Sequence, residues 1–288
     1  MRGFLAVDKP GGITSHDVVA RVRRLTRTKK VGHAGTLDPM ATGLLVVAVG
    51  PVTRLIRFVQ EAEKEYVADV RFGIATDSLD ADGEVVETSP MPISADEVEA
   101  ALAGFVGEIQ QVPPMVSALK KDGVRLHELA RQGIEVEREP RTVTIQHLAL
   151  EGFEPGEHPT ATIRVGCSTG TYIRSLGDDI ARSLGGRAHL TALRRTRIGS
   201  TPVEGATALD DLTPENVGAH LVDAAAALAD LPAVTVDEQG ANDVGHGRAI
   251  SIPSPVGDFI RVLDAGGDLL AVYRPDGQML RPEIVLPR

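Results

Sequence analysis

The chain has 288 residues, of which 42% are hydrophobic, and its formal net charge is −10. This length predicts two domains and a substantial core. Its single cysteine, Cys167, excludes an intramolecular disulfide and a zinc site built on several cysteines. No apolar run approaches the ~20 residues of a membrane-spanning helix, and residues 1–7 are too short for a signal peptide. We therefore expect a soluble, cytoplasmic protein.

Basic and acidic residues are unevenly distributed along the chain. Residues 1–58 contain ten Lys and Arg against three Asp and Glu, and residues 159–200 contain seven against two. Acidic residues are concentrated in residues 59–110 and 201–231, whose net charges are −11 and −6. This asymmetry predicts a basic face on an acidic body, which suits a polyanionic ligand. The alternative is that the basic residues form only a solvated helix face.

The N-terminal part of the chain predicts two strands and two helices. Residues 4–8 are typical of a strand, and Ser15 is a good N-cap for an amphipathic helix. The apolar run 44–49 predicts a buried strand. Before it, residues 32–43 contain too many glycines and prolines for a regular element. A short helix is expected at residues 53–60.

The middle of the chain mixes strands and helices without strict βαβ repetition. A turn is expected at residues 77–83, and the capping box at 94–97 opens one of the helices. The expected strands are 66–74, 84–88, 141–151, 160–167 and 189–198, and the expected helices are 95–103, 126–132 and 171–184. This order predicts an α+β fold with a mixed, mainly antiparallel central sheet flanked by helices.

The C-terminal part predicts a small β-rich domain. Residues 201–231 are acidic and include a helix around 224–227, after which Pro232 breaks the chain. Residues 233–288 predict short strands separated by turns. We therefore expect a large domain at 1–231 and a small one at 232–288. The small domain holds eight acids against five arginines, so a stabilising role for it is as plausible as a role in ligand binding.

Reactive side chains are concentrated in the segment 32–43, which contains His33, Thr36 and Asp38. Asp38 precedes a proline, which disfavours helix at that position. A polar loop docked on a buried strand can hold a reactive side chain still. The simpler alternative is a surface turn in which Asp38 only caps a neighbouring element.

Motifs for metal and nucleotide cofactors are not found in the sequence. Asp77, Asp80 and Asp82 form the only dense carboxylate cluster, and their spacing from Gly83 does not fit a calcium loop. We therefore interpret the cluster as a turn. The sequence has no His-Glu-x-x-His motif, Walker loop, dinucleotide fingerprint or serine elbow. This predicts a reaction without a metal or nucleotide cofactor.

Six segments resemble, in chain order, the motifs of the bacterial tRNA pseudouridine-55 synthases, the TruB family, whose relatives include dyskerin. The similarity extends from about residue 3 to about residue 200 and is weaker beyond residue 230. The six segments are 8–15, 32–43, 64–66, 75–83, 113–120 and 167–176. The resemblance implies the pseudouridine synthase fold, with a C-terminal PUA-like domain at 232–288.

The resemblance also implies an activity and its catalytic residues. Uridine 55 in the T loop of tRNA would be flipped out, cleaved from its ribose, rotated and rejoined through C5. Asp38 matches the family's catalytic aspartate, Arg174 the arginine that pairs with it, and Tyr66 the tyrosine that stacks on the uracil and handles the C5 proton. Asp38 either attacks C1′ or removes a C2′ proton, and the sequence does not choose between these routes.

The resemblance assigns further residues to substrate and RNA binding. His33 matches the histidine that displaces the T-loop nucleotide. Other expected pocket residues are Thr36, Tyr172, Leu193 and Lys9. Lys9 is also expected to support the segment 32–43, called the signature loop below. An insertion at about 112–134 would grip the T loop. The expected RNA contacts are Lys29, Lys30, Lys120, Lys121, Arg125 and Arg131.

Three functions are compatible with this pattern. The first is an isomerase that acts on tRNA as a monomer, without cofactor or membrane. The second is a non-catalytic tRNA-binding or folding module, although the intact set of Asp38, Tyr66 and Arg174 argues against a degenerate site. The third is another metal-free, aspartate-dependent enzyme acting on glycosidic bonds, which would release a free base.

Overall fold

A computed structural model describes residues 1–117, 119–121, 123–130, 132–134, 136–251 and 256–287. The side chains of residues 120, 121, 125, 127 and 130 lie outside this description. The chain divides into two compact units. Unit 1 comprises residues 1–39, 43–62 and 197–288, and unit 2 comprises residues 40–42 and 63–196.

The first half of the chain contains four α-helices and nine strands in the described residues, and a 3-10 helix at Gly50–Leu55 directly precedes α2. The helices are α1 (Ser15–Thr26), α2 (Ile56–Glu61), α3 (Ala95–Ala103) and α4 (Leu126–Ala130). The strands are β1 (Gly3–Lys9), β2 (Val31–His33), β3 (Thr42–Val49), β4 (Lys64–Phe72), β5 (Ile74–Thr76), β6 (Val85–Thr88), β7 (Gly107–Gln111), β8 (Lys120–Lys121) and β9 (Val124–Arg125).

The second half contains three α-helices, two short 3-10 helices (Val203–Gly205 and Leu209–Asp211) and ten strands in the described residues. The helices are α5 (Ile173–Ser183), α6 (Ala224–Ala227) and α7 (Glu238–Gly245). The strands are β10 (Arg141–Glu154), β11 (Thr160–Cys167), β12 (Ala188–Ile198), β13 (Thr201–Pro202), β14 (Thr207–Ala208), β15 (Ala233–Thr235), β16 (Ile250–Ser251), β17 (Ile260–Leu263), β18 (Leu269–Asp276) and β19 (Met279–Val285).

Unit 1 is built around the antiparallel pair β1–β3. The pairing runs from Gly3 opposite Val49 to Lys9 opposite Gly43, and β3 is buried along seven of its eight residues. On the other sides of the pair, β14 runs parallel to β1 and β2 runs antiparallel to β3. The loop between β2 and β3 therefore starts on a strand that is paired with the buried β3 and ends at the start of β3 itself.

The C-terminal strands of unit 1 contribute to two cores. They form a sheet in the order β15-β17-β18-β19-β16. Val272 and Ile284 on one face belong to the same apolar cluster as Phe4 and Leu44 of the β1–β3 pair. Residues on the other face, including Tyr273, form a small core of their own. The sheet is thus continuous with the main core of unit 1, while the predicted boundary at 231/232 stays a prediction.

Unit 2 is a sheet in the order β12-β4-β11-β10-β7. Successive pairs from β4 to β7 are antiparallel. Helices α3 and α5 pack on this sheet and on each other. Two hairpins, β5–β6 and β8–β9, extend from it. The predicted class, α+β with a large and mainly antiparallel sheet flanked by helices, is confirmed.

Several predicted elements differ in the structure. The N-cap of α1 is Thr14, not Ser15, because the Thr14 hydroxyl accepts the Asp17 amide in a capping box while the Ser15 hydroxyl binds Leu37. The segment 32–43 is not wholly irregular, since its first two residues complete β2. Strand β7 and helix α7 were not predicted. In the described residues, no helix is both long and apolar enough to cross a membrane.

Candidate active site

Lys9, at the end of β1, holds the loop that carries Asp38. Lys9 is completely buried. Its Nζ donates to the carbonyl oxygens of Pro10, Ile13 and Pro39 at 2.9, 2.7 and 3.2 Å. An ammonium group has three protons to donate. Lys9 thus supports the signature loop, as the sequence predicts, and its assignment to the substrate pocket stays a prediction.

Both neighbours of Asp38 are held by hydrogen bonds. The Ser15 hydroxyl accepts the Leu37 amide at 2.9 Å and donates to the Leu37 carbonyl at 3.2 Å. The Gly12 amide donates to the Pro39 carbonyl at 2.8 Å. Asp38 itself is half-buried. The N-terminal motif 8–15 therefore fixes the backbone on either side of the candidate catalytic carboxylate.

The other candidate residues of unit 1 are His33, Thr36, Lys29 and Lys30. His33 ends β2 and contacts His16 edge to face, with ring centroids 5.6 Å apart. Thr36 is exposed. Lys29 and Lys30, which follow α1, are also exposed. Exposure of these two lysines is compatible with the RNA contact expected of them, which stays a prediction.

Arg174, a candidate residue of unit 2, lies in the first turn of α5. It is 3% exposed and pairs with the buried Asp80 at 3.2 Å. Its Nη1 donates to the Ser78 carbonyl at 2.7 Å, and its Nη2 donates to the Val116 carbonyl at 2.8 Å. Asp80 also accepts hydrogen bonds from the Ser78 hydroxyl and the Asp82 amide. The guanidinium group thus joins the turn 77–83 to the start of the insertion.

The same region tethers the insertion at two more points. The Gln111 side chain and the Tyr172 backbone exchange two hydrogen bonds, of 2.7 and 3.0 Å. The Ser175 hydroxyl donates to the Val112 carbonyl at 3.0 Å. The candidate pocket residue Tyr172 is therefore held through its backbone. The residue itself is half-buried.

Tyr66 and Leu193 lie on β4 and β12 of the unit 2 sheet. Tyr66 belongs to the buried face of β4 and is 8% exposed, and Leu193 is 6% exposed. On the neighbouring strand, burial raises the pKa of the Cys167 thiol to about 11. This thiol is thus protonated at neutral pH and fits the role of a small buried residue.

Some expected contacts of the insertion cannot be placed. Arg131 lies outside the described residues, as do the side chains of Lys120, Lys121 and Arg125. In the described part of the chain, no three His, Cys, Asp or Glu side chains lie close enough to hold a metal ion. The turn predicted for Asp77, Asp80 and Asp82 is confirmed.

Sequence reasoning missed the role of Asp80. The turn was predicted, but a buried ion pair with a residue 94 positions further along could not be read from local spacing. A weak signal was present, since an acidic turn residue buried in a fold needs a cationic or hydrogen-bonding partner. The roles of Ser15 and Gln111 as tethers carried no comparable signal.

Two family models match the chain. The model described as "TruB family pseudouridylate synthase (N terminal domain)" matches residues 23–173, which is more than half of the chain. The model described as "tRNA Pseudouridine synthase II, C terminal" matches residues 231–287. The chain belongs to the TruB family of pseudouridylate synthases. As a member of that family it is an enzyme, an isomerase that forms pseudouridine.

Similar proteins with established names agree with this TruB assignment. Two relatives named tRNA pseudouridine synthase B, from Ralstonia pickettii and Burkholderia mallei, are each 44% identical to the chain. The match to each covers 98% of the chain, with 93% and 95% of the respective relatives. Among solved structures, a Cbf5-Nop10-Gar1 complex has a chain with TM-score 0.77 and 28% identity, and the match covers 98% of this chain and 84% of that one.

Proposed function

We propose that this TruB-family enzyme converts uridine 55 in the T loop of tRNA to pseudouridine. The observation that carries the proposal is the identity of 44% over 98% of the chain to relatives named tRNA pseudouridine synthase B. The basic residues of segments 1–58 and 159–200 support a polyanionic substrate. The enzyme acts in the cytoplasm, as a monomer and without a cofactor.

Asp38, Tyr66 and Arg174 carry the reaction in this proposal. The target nucleotide is extracted from its stack at a cost of a few kcal/mol, which contacts to the rest of the loop offset. The Asp38 carboxylate then acts at C1′ or C2′ of the ribose, and the detached uracil rotates and rejoins through C5. Fixed backbone on both sides of Asp38 supports this role, since a misplaced carboxylate loses much of its catalytic effect.

Arg174 and Tyr66 complete the machinery. The Arg174 guanidinium is held by Asp80 and two carbonyl groups. In this proposal its charge keeps the catalytic carboxylate ionised. Tyr66 stacks on the uracil and removes its C5 proton. His33, Thr36, Tyr172 and Leu193 shape the pocket, and the insertion at 112–134 grips the T loop.

The position of the modified nucleotide tests this proposal. An unmodified tRNA transcript is incubated with the protein, and pseudouridine is located by carbodiimide treatment and primer extension. We expect a single modified position, at 55, and no modification in a transcript with cytidine at 55. Modification elsewhere would overturn the choice of target. Binding without modification at any position would favour the second candidate, a non-catalytic tRNA-binding or folding module.

A further inference from the structure

The first turn of α1 contacts the signature loop at two places. Ser15 binds both backbone groups of Leu37, the residue before Asp38. The next residue of the helix, His16, packs its ring against the ring of His33. The two ring centroids are 5.6 Å apart and the planes are inclined at 81°, so the rings meet edge to face. One end of a helix is thus in contact with both the start and the middle of the loop.

The backbone that carries His16 is fixed on both sides. The Thr14 hydroxyl accepts the Asp17 amide at 3.1 Å, and the Asp17 carboxylate accepts the Thr14 amide at 2.9 Å. Ser15, between Thr14 and His16, is held by its two bonds to Leu37. The exposed His16 side chain therefore projects from a rigid base.

The backbone of His33 is fixed independently, by the pairing of β2 with β3. His33 lies opposite Val47, and the amide of the next residue, Ala34, donates to the Val46 carbonyl at 2.8 Å. Strand pairing sets the backbone but leaves a choice of staggered side-chain rotamers. Since His33 is only half-buried, a neighbouring ring such as that of His16 has room to determine this choice.

We infer that His16 is a positioning residue for the substrate RNA, and that its ring holds the His33 side chain in the orientation that engages the T loop. Aromatic rings favour the edge-to-face arrangement at centroid separations of about 4.5–7 Å. A side chain that is already ordered in the free protein loses less conformational freedom on binding, so the affinity rises. His16 acts through His33 and does not itself react with the substrate.

This inference deepens the proposed function and rests on it. The resemblance assigns to His33 the displacement of the T-loop nucleotide, which precedes cleavage of the glycosidic bond. Loss of an interaction that serves RNA binding raises KM and leaves kcat unchanged. Loss of His16 should therefore weaken the engagement of RNA without slowing the chemical step that follows.

Single-turnover kinetics with a T-loop hairpin RNA test this expectation. In His16→Ala, the enzyme concentration that gives half of the maximal rate should rise about two- to tenfold, with the maximal rate within about twofold of the unaltered protein. His16→Phe keeps an aromatic ring but has no ring nitrogen, and it should behave like the unaltered protein. Equal losses in the two variants would overturn the inference, because a ring nitrogen would then be needed. An unaffected His16→Ala would overturn it as well.

A matched control removes an imidazole from another exposed position of unit 1. His220 is exposed, and its ring nitrogen pairs with the Thr207 hydroxyl at 3.0 Å. His220→Ala should leave both kinetic quantities unchanged. If it weakened the engagement of RNA as much as His16→Ala does, the effect would not depend on contact with His33, and the inference would be wrong.

The orientation of the His33 ring can also be measured without any RNA. The chain has eight histidines, and in protein labelled at histidine the variant His33→Ala identifies the signals of His33. Three-bond couplings across χ1 then report its rotamer. We expect values of a single rotamer in the unaltered protein and in His16→Phe, and averaged values in His16→Ala. Identical couplings in all three would contradict the inference. The expected couplings in a protein that does not modify tRNA would contradict only the proposed function.

Discussion

Hydrogen bonds to backbone groups hold the Asp38 loop of unit 1, whereas a buried counter-ion holds Arg174 in unit 2. In unit 1 a single lysine satisfies three carbonyl oxygens, and a serine holds both backbone groups of Leu37. In unit 2 the Arg174 guanidinium pairs with Asp80 and reaches two further carbonyl groups. The first arrangement fixes the shape of a loop, and the second fixes the direction of one charged group.

This difference predicts different responses to substitution. Removal of a hydrogen-bond donor that holds the Asp38 loop leaves buried carbonyl groups without that donor. The stability of the fold and the geometry of the loop are therefore weakened together. Removal of a charge from unit 2 leaves the arginine in place but changes the electrostatics around it. Stability and activity should therefore be lost in proportion when the Asp38 loop loses a donor, whereas in unit 2 activity should fall by more than the loss of stability explains.

Lys9→Met should have the largest effect on stability. The variant keeps the apolar stem but removes all three hydrogen bonds of the ammonium group. We expect the free energy of unfolding to fall by about 3 kcal/mol, with a matching loss of activity. Urea denaturation measures the first and a tRNA modification assay the second. Arg274→Met, at an exposed position of the same unit, should change neither quantity. If Lys9→Met changed neither stability nor activity, Lys9 would not be a support of the loop.

Asp80→Asn should have the next largest effect. The substitution keeps the size of the side chain but leaves the Arg174 guanidinium without this counter-ion, and we expect a cost of about 2 kcal/mol in unfolding free energy. Activity should fall further than this loss of folded protein explains, because the electrostatics around Arg174 change. The exposed Asp82 of the same turn offers a control. If Asp82→Asn lowers activity as much as Asp80→Asn does, the buried pair is not the cause.

A comparison of Ser15→Ala with Thr14→Ala distinguishes the support of the Asp38 loop from the capping of α1, the helix that begins beside it. The variant leaves the Leu37 amide without its hydroxyl partner, at an expected cost of about 1 kcal/mol. Thr14→Ala removes the N-cap of α1 at a similar cost but does not contact the loop. Thermal denaturation should give similar losses for the two variants, whereas the modification rate should fall only in Ser15→Ala. Equal rates would show that Ser15 contributes only to folding.

Asp179→Asn should have the smallest effect and should raise stability. Burial, and then the neighbouring Asp178, raise the pKa of Asp179 to about 6. A carboxyl group with a raised pKa favours the fold at low pH, and this contribution is lost as the pH rises from about 4 through 6. After allowance for solvent screening, the variant should gain about 1 kcal/mol at pH 7.5 and nothing at pH 4.

The pH dependence of unfolding checks this prediction. Urea denaturation of the variant and the unaltered protein at both pH values gives the difference directly. The exposed Glu99→Gln on α3 serves as the control for loss of a negative charge in unit 2. A gain of the same size at pH 4 and pH 7.5 would exclude titration of Asp179 as the cause.

Most of the helices and strands have strong local sequence patterns and were predicted. Elements with weak local patterns were missed. The apolar run of β3 and the capping box of α3 identified their elements from a few residues. Strand β7 was missed because its sequence, Gly-Glu-Ile-Gln-Gln, contains one apolar residue, and it is specified by pairing with β10. Helix α7 was missed because it contains two glycines and depends on the Asp237 cap.

The candidate site was predictable only in part, and for a physical reason. The resemblance in the signature loop made Asp38 the candidate catalytic residue, which stays a prediction, and the adjacent basic segment indicated a polyanionic ligand. Lys9, Ser15 and Asp80 each make a long-range contact that holds the site. The residues joined by these three contacts lie 22 to 94 positions apart in the sequence. Local spacing carries no information on such contacts, because they are set by the packing of separate elements.

The most direct test of the account is tritium release from a T-loop RNA labelled at uracil C5, with the unaltered protein and Asp38→Asn compared side by side. Formation of the new C–C bond must discharge the C5 hydrogen. We expect release by the unaltered protein and a loss of at least about 1,000-fold in Asp38→Asn, with RNA affinity kept within a few-fold. Equal release by both proteins, or release by neither while the RNA still binds, would contradict the account.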